Sequence, residues 1–347
     1  MRITFLVPCK DLAGGLKVVT AYGNALLRKG HSVSVVYPRR IFPTKEKLRR
    51  QIKGWLYNEN DHLDYFRGKL IEVDEIKETN VPDGDILIAT AWQTVEDSKN
   101  FTSAKGKKFY LIQHYETWSG DSKDVDETYK NKEYTKIVIS NWLKEIIEKV
   151  SGEKNIALIP NGRDLFLSEY KGDGFSRKYD LGMLYSTVKF KRSDVGLDAL
   201  KIIIQKFPEI KIILFGSEYP NETLPSKNFT IFRRPPQEEI PNLYQSTRIW
   251  ISSSDSEGFC LPALEAICSG CAVVSTNSGG VVDIIENGKS GLIVDPGDPK
   301  KLADAIIKVL NDKNLEIQLQ NAGLMQAEKF SWEKSSSMLE KLFLDAI

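Results

Sequence analysis

The chain of 347 residues contains no apolar run approaching the roughly 20 residues that cross a bilayer, so a helical membrane span within it is excluded. Cysteine is scarce: four in the whole sequence, too few to staple a fold of this length. A reducing, cytoplasmic setting is the expectation. Cys268 and Cys271 have a metal-like spacing, but no second pair and no nearby histidine accompany them. A helix that stops at Gly270 and feeds a strand accounts for them better than zinc or redox chemistry. Net charge is also nearly absent, at +1, which removes any global pull toward nucleic acid. The first residues, MRITFLVPCKD, hold only a short apolar stretch, Ile3 to Val7. It reads as a first strand rather than a secretory leader. Neither a close repeat nor a low-complexity tract is present.

What remains is the composition of a soluble globular protein, 41% hydrophobic and 27% charged, and a length that calls for two domains. Short β-branched runs alternate with longer amphipathic segments. Ile3–Val7 precedes a helical stretch, Leu16–Lys29, stopped by Gly30, and Val33–Val36 follows. Ile86–Ala89, Phe109–Ile112 and Ile137–Ile139 continue the series. After Ile159-Pro160-Asn161-Gly162 the pattern restarts with Leu181–Tyr185, Ile210–Phe215, Ile249–Ser252 and Ala272–Ser275. Helical stretches at Val195–Lys206 and Leu261–Ser269 lie between them. Strands separated by helices in this way predict parallel sheets, one in each domain. Ligands of such sheets bind beyond the strands' carboxyl ends, here in an expected interdomain cleft.

The segment Ser252–Ala266 carries the most chemistry. Glu257 and Glu265 frame seven residues that include Gly258 and Pro262. Glycine lets the backbone approach a ligand, and proline is tolerated in a helix's first turn. The unpaired N–H groups of that turn suit an anion such as a diphosphate. Glu265, about one turn inside, is placed to accept from ribose hydroxyls, and Glu257 to reach sugar hydroxyls.

This segment resembles the E-x7-E motif of glycosyltransferase family 4. The resemblance continues through Thr276-Asn277-Ser278-Gly279-Gly280, Asp283–Glu286, Asn287-Gly288 and Gly291–Gly297, and together with Ile159–Gly162 covers most of the C-terminal half. It implies the α/β GT-B fold: two Rossmann-like parallel-sheet domains with an interdomain cleft. The domains are placed at 1–162 (acceptor-binding) and 163–329 (nucleotide-sugar-binding), with a helix at 330–347 crossing back to the first. It implies a retaining, metal-independent, hexosyltransferase-type enzyme with no cofactor. The partners it implies are a nucleotide-sugar donor and a saccharide or lipid-linked acceptor, in polysaccharide or glycoconjugate synthesis, and no nucleic acid. Glu257 then binds the donor sugar, the backbone of Gly258, Phe259, Cys260 and Leu261 the sugar and diphosphate, and Glu265 the ribose. Gly14-Gly15, between the first strand and helix, matches the glycine loop that faces phosphates and acceptor. His114, after Phe109–Ile112, matches the histidine beside the reacting sugar.

In the loop Tyr185–Ser193 the family's arginine position holds Ser186, a departure; Lys191 matches the lysine, and Lys189 and Arg192 stand near. Two of these three cations are expected to share the diphosphate. By the same resemblance, Arg233, after Thr230–Phe232, falls in the loop whose backbone meets the nucleobase. The sequence singles out no carboxylate nucleophile for a double displacement, and the family resemblance implies retention by front-face attack instead. Asp124-Val125-Asp126 has a metal-motif spacing but reads as a polar loop. Residues 44–57 pattern as a basic amphipathic helix, with Leu48, Ile52, Trp55 and Leu56 on one face, open to packing on the first domain or to peripheral contact with an anionic inner-membrane face. A phosphorylase of the same fold, a nucleotide-sugar-binding regulator without catalysis, and a nicotinamide oxidoreductase are the alternatives; the last lacks the third glycine of G-x-G-x-x-G.

Overall fold

The computed structural model describes residues 1–10, 12, 14–39, 61–163 and 177–347. The basic segment 44–57 lies outside them. The chain divides into two compact units, Met1–Asn161 with Trp332–Ile347, and Gly162–Ser331.

In the first unit, β1 (Arg2–Leu6), β2 (Ser32–Pro38), β3 (Lys69–Val73), β4 (Ile86–Ala89), β5 (Lys107–Ile112), β6 (Thr135–Val138) and β7 (Ala157–Leu158) form one sheet, ordered β3-β2-β1-β4-β5-β6-β7. Every pairing is parallel; Ile3 stands between Val33 and Ile86. All four residues of β4 are buried, as expected of a strand covered on both faces. The helices are α1 (Gly14–Arg28), α2 (Trp92–Ser98), α3 (Ser122–Lys130) and α4 (Asn141–Ser151). The Ser140 hydroxyl accepts from Leu143 N–H to start α4, and Gly152, in the left-handed region, ends it.

In the second unit, β8 (Tyr179–Tyr185), β9 (Ile212–Gly216), β10 (Phe229–Arg233), β11 (Thr247–Ser252), β12 (Ala272–Thr276) and β13 (Leu292–Val294) are again all parallel, ordered β10-β9-β8-β11-β12-β13. The helices are α5 (Ser193–Lys206), α6 (Ile240–Gln245), α7 (Leu261–Cys268), α8 (Pro299–Asn311) and α9 (Lys313–Ala327). Leu181, Met183, Leu200, Ile212, Val274 and Ile306 sit in its core. The two sheets share one winding: strands run outward on one side, then the chain returns to pair on the other. The direction reverses between β1 and β4 and between β8 and β11, which is where ligands of open α/β sheets bind.

The last helix, α10 (Trp332–Leu344), belongs to the first unit. Trp332 packs edge-on against Tyr22 of α1 at 5.1 Å, and Phe343 against Phe109 of β5 at 4.8 Å. Glu340 receives Lys29 at 2.9 Å and His31 at 2.7 Å. Among the described residues no helix is long and apolar enough to cross a membrane.

Candidate functional site

The loops after β8 and β11 meet in one ion pair. Lys191 Nζ donates to Glu257 Oε1 at 2.7 Å, and Ser254 Oγ donates to the same oxygen at 2.7 Å. Glu257 is 6% exposed, and the pair lines a recess with Met183, Ser252, Ser254 and Pro262. Local sequence explains how the two loops hold together. Lys191 closes a one-turn helix, Lys189–Lys191, whose Phe190 carbonyl accepts Asp255 N–H at 2.8 Å. Ser253 Oγ donates to the Lys191 carbonyl at 3.2 Å. The Glu257 backbone is pinned by Thr276–Gly280: its N–H donates to Ser278 at 2.6 Å, and its carbonyl accepts from Gly280 at 2.9 Å. Gly280 is required, because a Cβ there would lie 2.2 Å from the Gly258 carbonyl oxygen. Burial acts to lower the Lys191 pKa, but the Glu257 carboxylate outweighs it and holds the ammonium above the usual lysine value.

Cys260 precedes α7 in the left-handed region (φ 72°), and Pro262 lies in the first turn. Burial, reinforced by the Glu257 charge, pushes the Cys260 thiol up to about 12, so it is a packing group rather than a nucleophile. Phe259 packs edge-on against Phe330 at 5.5 Å, and Gly258 and Leu261 complete the turn into α7. Glu265, 8% exposed, accepts from Tyr244 Oη at 2.9 Å. Burial and then the Glu265 charge hold that phenol well above its ordinary range.

The other cations stand apart. Arg192, left-handed at φ 45°, starts α5 with its guanidinium on two acids: Nη1 to Asp255 at 2.9 Å, Nε and Nη2 to Asp194. Lys189 is exposed on the same one-turn helix, and Ser186 N–H donates to Ser193 Oγ at 2.9 Å. Arg233 ends β10, the edge strand, half-buried. Cys271 is buried and donates to the Tyr244 and Thr247 carbonyls. Among the described residues no group of three or more metal-ligating side chains gathers.

In the first unit, Gly14 and Gly15 are the first two residues of α1 rather than a loop before it. A Cβ on Gly15 would stand 3.2 Å from the Gln113 amide nitrogen, so the missing side chain admits Gln113 over the helix start. His114 follows; its Nδ1 is 3.0 Å from the Tyr115 carbonyl and 3.2 Å from the Trp118 indole nitrogen. Asp124 and Asp126 are on α3, not in a loop; their alternation with Val125 buries the valine, and Asp126 accepts from Tyr115 Oη at 2.9 Å.

A model of the family "Glycosyl transferases group 1" matches residues 175–325, almost the whole second unit with its ion pair. That unit is similar to the group 1 glycosyl transferases. The chain is 31% identical over 178 residues to D-inositol 3-phosphate glycosyltransferase of Corynebacterium urealyticum, covering 47% of this chain and 42% of that one. The match therefore spans less than half of that relative's length. It is 25% identical over 260 residues to the capsular polysaccharide biosynthesis glycosyltransferase CapM of Staphylococcus aureus, covering 68% and 66%. The structure of Anabaena HepE with UDP and glucose superposes with a TM-score of 0.75 at 15% identity, over 99% of this chain and 100% of that one. The fold, two Rossmann-like parallel-sheet domains of the GT-B class, is shared with that structure.

Sequence reasoning passed over Tyr244 and gave no role to Ser254, Asp255 or Ser278. Ser254 and Asp255 lie in the small polar run ahead of Glu257, a signal that marks a loop without saying which side chain turns inward. Tyr244 reaches Glu265 from another helix, and nothing local announces it.

Proposed function

We propose that the chain is a retaining glycosyltransferase that moves a hexosyl group from a nucleotide-sugar donor to an acceptor hydroxyl without a metal ion. One observation carries this reading: the Lys191–Glu257 pair at the strand-order reversal, in the unit that matches the group 1 glycosyltransferases. Lys191 meets the donor diphosphate, with backbone N–H groups at the start of α7 beside it. Glu257 meets the sugar hydroxyls, and Glu265, oriented by Tyr244, the ribose. Because Glu257 is engaged by Lys191 and Ser254, the diphosphate itself takes the acceptor proton on the face it leaves, and configuration is kept. His114 orients the acceptor or the sugar. CapM is named for capsular polysaccharide synthesis and HepE was crystallised with UDP and glucose, so uridine donors and a polysaccharide or glycoconjugate acceptor come first.

The test is thermal stability against nucleotides and nucleotide-sugars in EDTA, followed by transfer with NMR assignment of the product anomer. A ligand at 100 times its dissociation constant stabilises by about 2.7 kcal/mol. A shift with one diphosphonucleotide that is lost in Glu265→Ala, with a retained anomer, supports the reading; no shift and no transfer refutes it. Ser186 in the arginine position and the two acids on Arg192 favour one second reading, a regulator that binds donor without catalysis. Donor turnover excludes it.

A further inference from the structure

Three consecutive strands of the first unit deliver aromatic side chains to one patch at their carboxyl ends. Trp92 begins α2 after β4, His114 and Trp118 follow β5, and Trp142 lies in the first turn of α4 after β6. The His114 ring is 6.1 Å from both the Trp118 and Trp142 rings, near-perpendicular to each. Trp118 is 56% exposed, whereas the other described tryptophans are half-buried or buried. Its indole N–H donates to His114 Nδ1 at 3.2 Å when the imidazole proton is on Nε2; with the proton on Nδ1, that nitrogen donates to the Tyr115 carbonyl at 3.0 Å instead. The loop beneath it is braced: Glu116 accepts Trp92 N–H at 2.8 Å, Trp92 Nε1 donates to Ser119 Oγ at 3.0 Å, and Gly120 lies so close to the Trp92 ring that a Cβ would be 2.7 Å away. An exposed indole standing alone needs no explanation. One seated edge-on against an imidazole, on a braced loop, at the ligand-binding edge of a parallel sheet, is a preorganised surface.

We infer that Trp118, with His114 and Trp142 edge-on, is a stacking platform for the ring of a neutral saccharide. This rests on the proposed transferase reading and assigns the acceptor side to this patch. A pyranose presents a face of C–H groups with partial positive charge, complementary to the negative face of indole, and a rim of hydroxyls. Gln113, the residue before His114, has a buried amide oxygen without a partner, beside Gly15. Two acidic residues adjoin the loop, Glu116 on the Trp92 N–H and Asp126 on Tyr115 Oη, and the Asp126 carboxylate disfavours a phosphorylated acceptor.

The experiment is isothermal titration of the full chain, with and without saturating UDP, using maltotriose, chitotriose and cellotriose, with myo-inositol 1-phosphate as the anionic contrast. The expected result is binding of at least one neutral oligosaccharide, weakened at least about tenfold, or 1.4 kcal/mol, in Trp118→Ala. Trp118→Phe keeps part of the affinity, and UDP binding and the thermal transition stay unchanged in both variants. Equal saccharide affinity in wild type and Trp118→Ala, no oligosaccharide binding at all, or preference for the inositol phosphate overturns the inference. Saccharide binding lost in Trp118→Ala, in a chain that neither binds nor turns over any nucleotide-sugar, leaves the platform standing and refutes the transferase reading.

Discussion

Lys191 and Arg192 are neighbours with different work. Lys191 is drawn into the recess by Glu257, and Arg192 is held outside it by Asp194 and Asp255. Lys191→Ala is expected to lower kcat/KM by 10²-fold or more, the scale of losing a charged group that stabilises a leaving oxyanion, while Arg192→Ala costs less than about tenfold. Steady-state kinetics of the two variants with one donor decides this. A second effect concerns Glu116, whose carboxyl burial pushes up to about 7 against the opposing Trp92 N–H. A raised folded pKa means that the stabilising protonated form is fully present below the unfolded value, near 4.5, and is lost as pH rises through 7. The first unit thus loses about 3 kcal/mol between those limits. Glu116→Gln should flatten that slope in thermal melts from pH 5 to 8; an unchanged slope contradicts it.

At the scale of elements, the Glu257 loop depends on a second loop behind it. Gly280→Ala forces the Gly258 carbonyl away and moves Glu257 with it, so donor affinity should fall at least tenfold in titration while circular dichroism stays native. The strands were readable for a simple reason. Ile86–Ala89 is buried on both faces and unbroken in apolar residues, and Ala272–Thr276, also wholly buried, begins with the apolar run Ala272–Val274. Lys69–Val73 at a sheet edge and the two-residue Ala157–Leu158 lack such a run and escaped notice. Ser122–Lys130 looked like a loop because only Val125, Thr128 and Tyr129 face inward among charged residues. Of the candidate site, Glu257 and Glu265 stood out through local loop chemistry, a strand end, a glycine and a proline, and Lys191 through the family resemblance, while the structure brings Lys191 and Glu257 together. Tyr244, Ser278 and Trp118 did not stand out, since each acts through a residue distant in sequence or through its exposure, and neither leaves a periodic mark.

For the whole molecule, the first unit is completed by the final helix. Removing residues 332–347 strips Trp332 from Tyr22 and Phe343 from Phe109. Hydrogen exchange of the shortened chain should show lost protection in β1, β5 and α1, with the second unit still protected and still shifted by nucleotide; uniform protection would contradict this. Phe343→Ala is the milder form, costing about 3–5 kcal/mol as a buried aromatic deletion. The same feature bears on biosynthesis. Residues through Asn161 leave the ribosome without their last helix, and all of Gly162–Ser331 must be translated before it appears. At 5–20 residues per second that is a wait of roughly 10–30 s with the apolar seat of α10 uncovered. The nascent first unit is therefore expected to expose that seat until residues 332–347 arrive, and codons that slow translation of the second unit should cost yield without changing a single side chain.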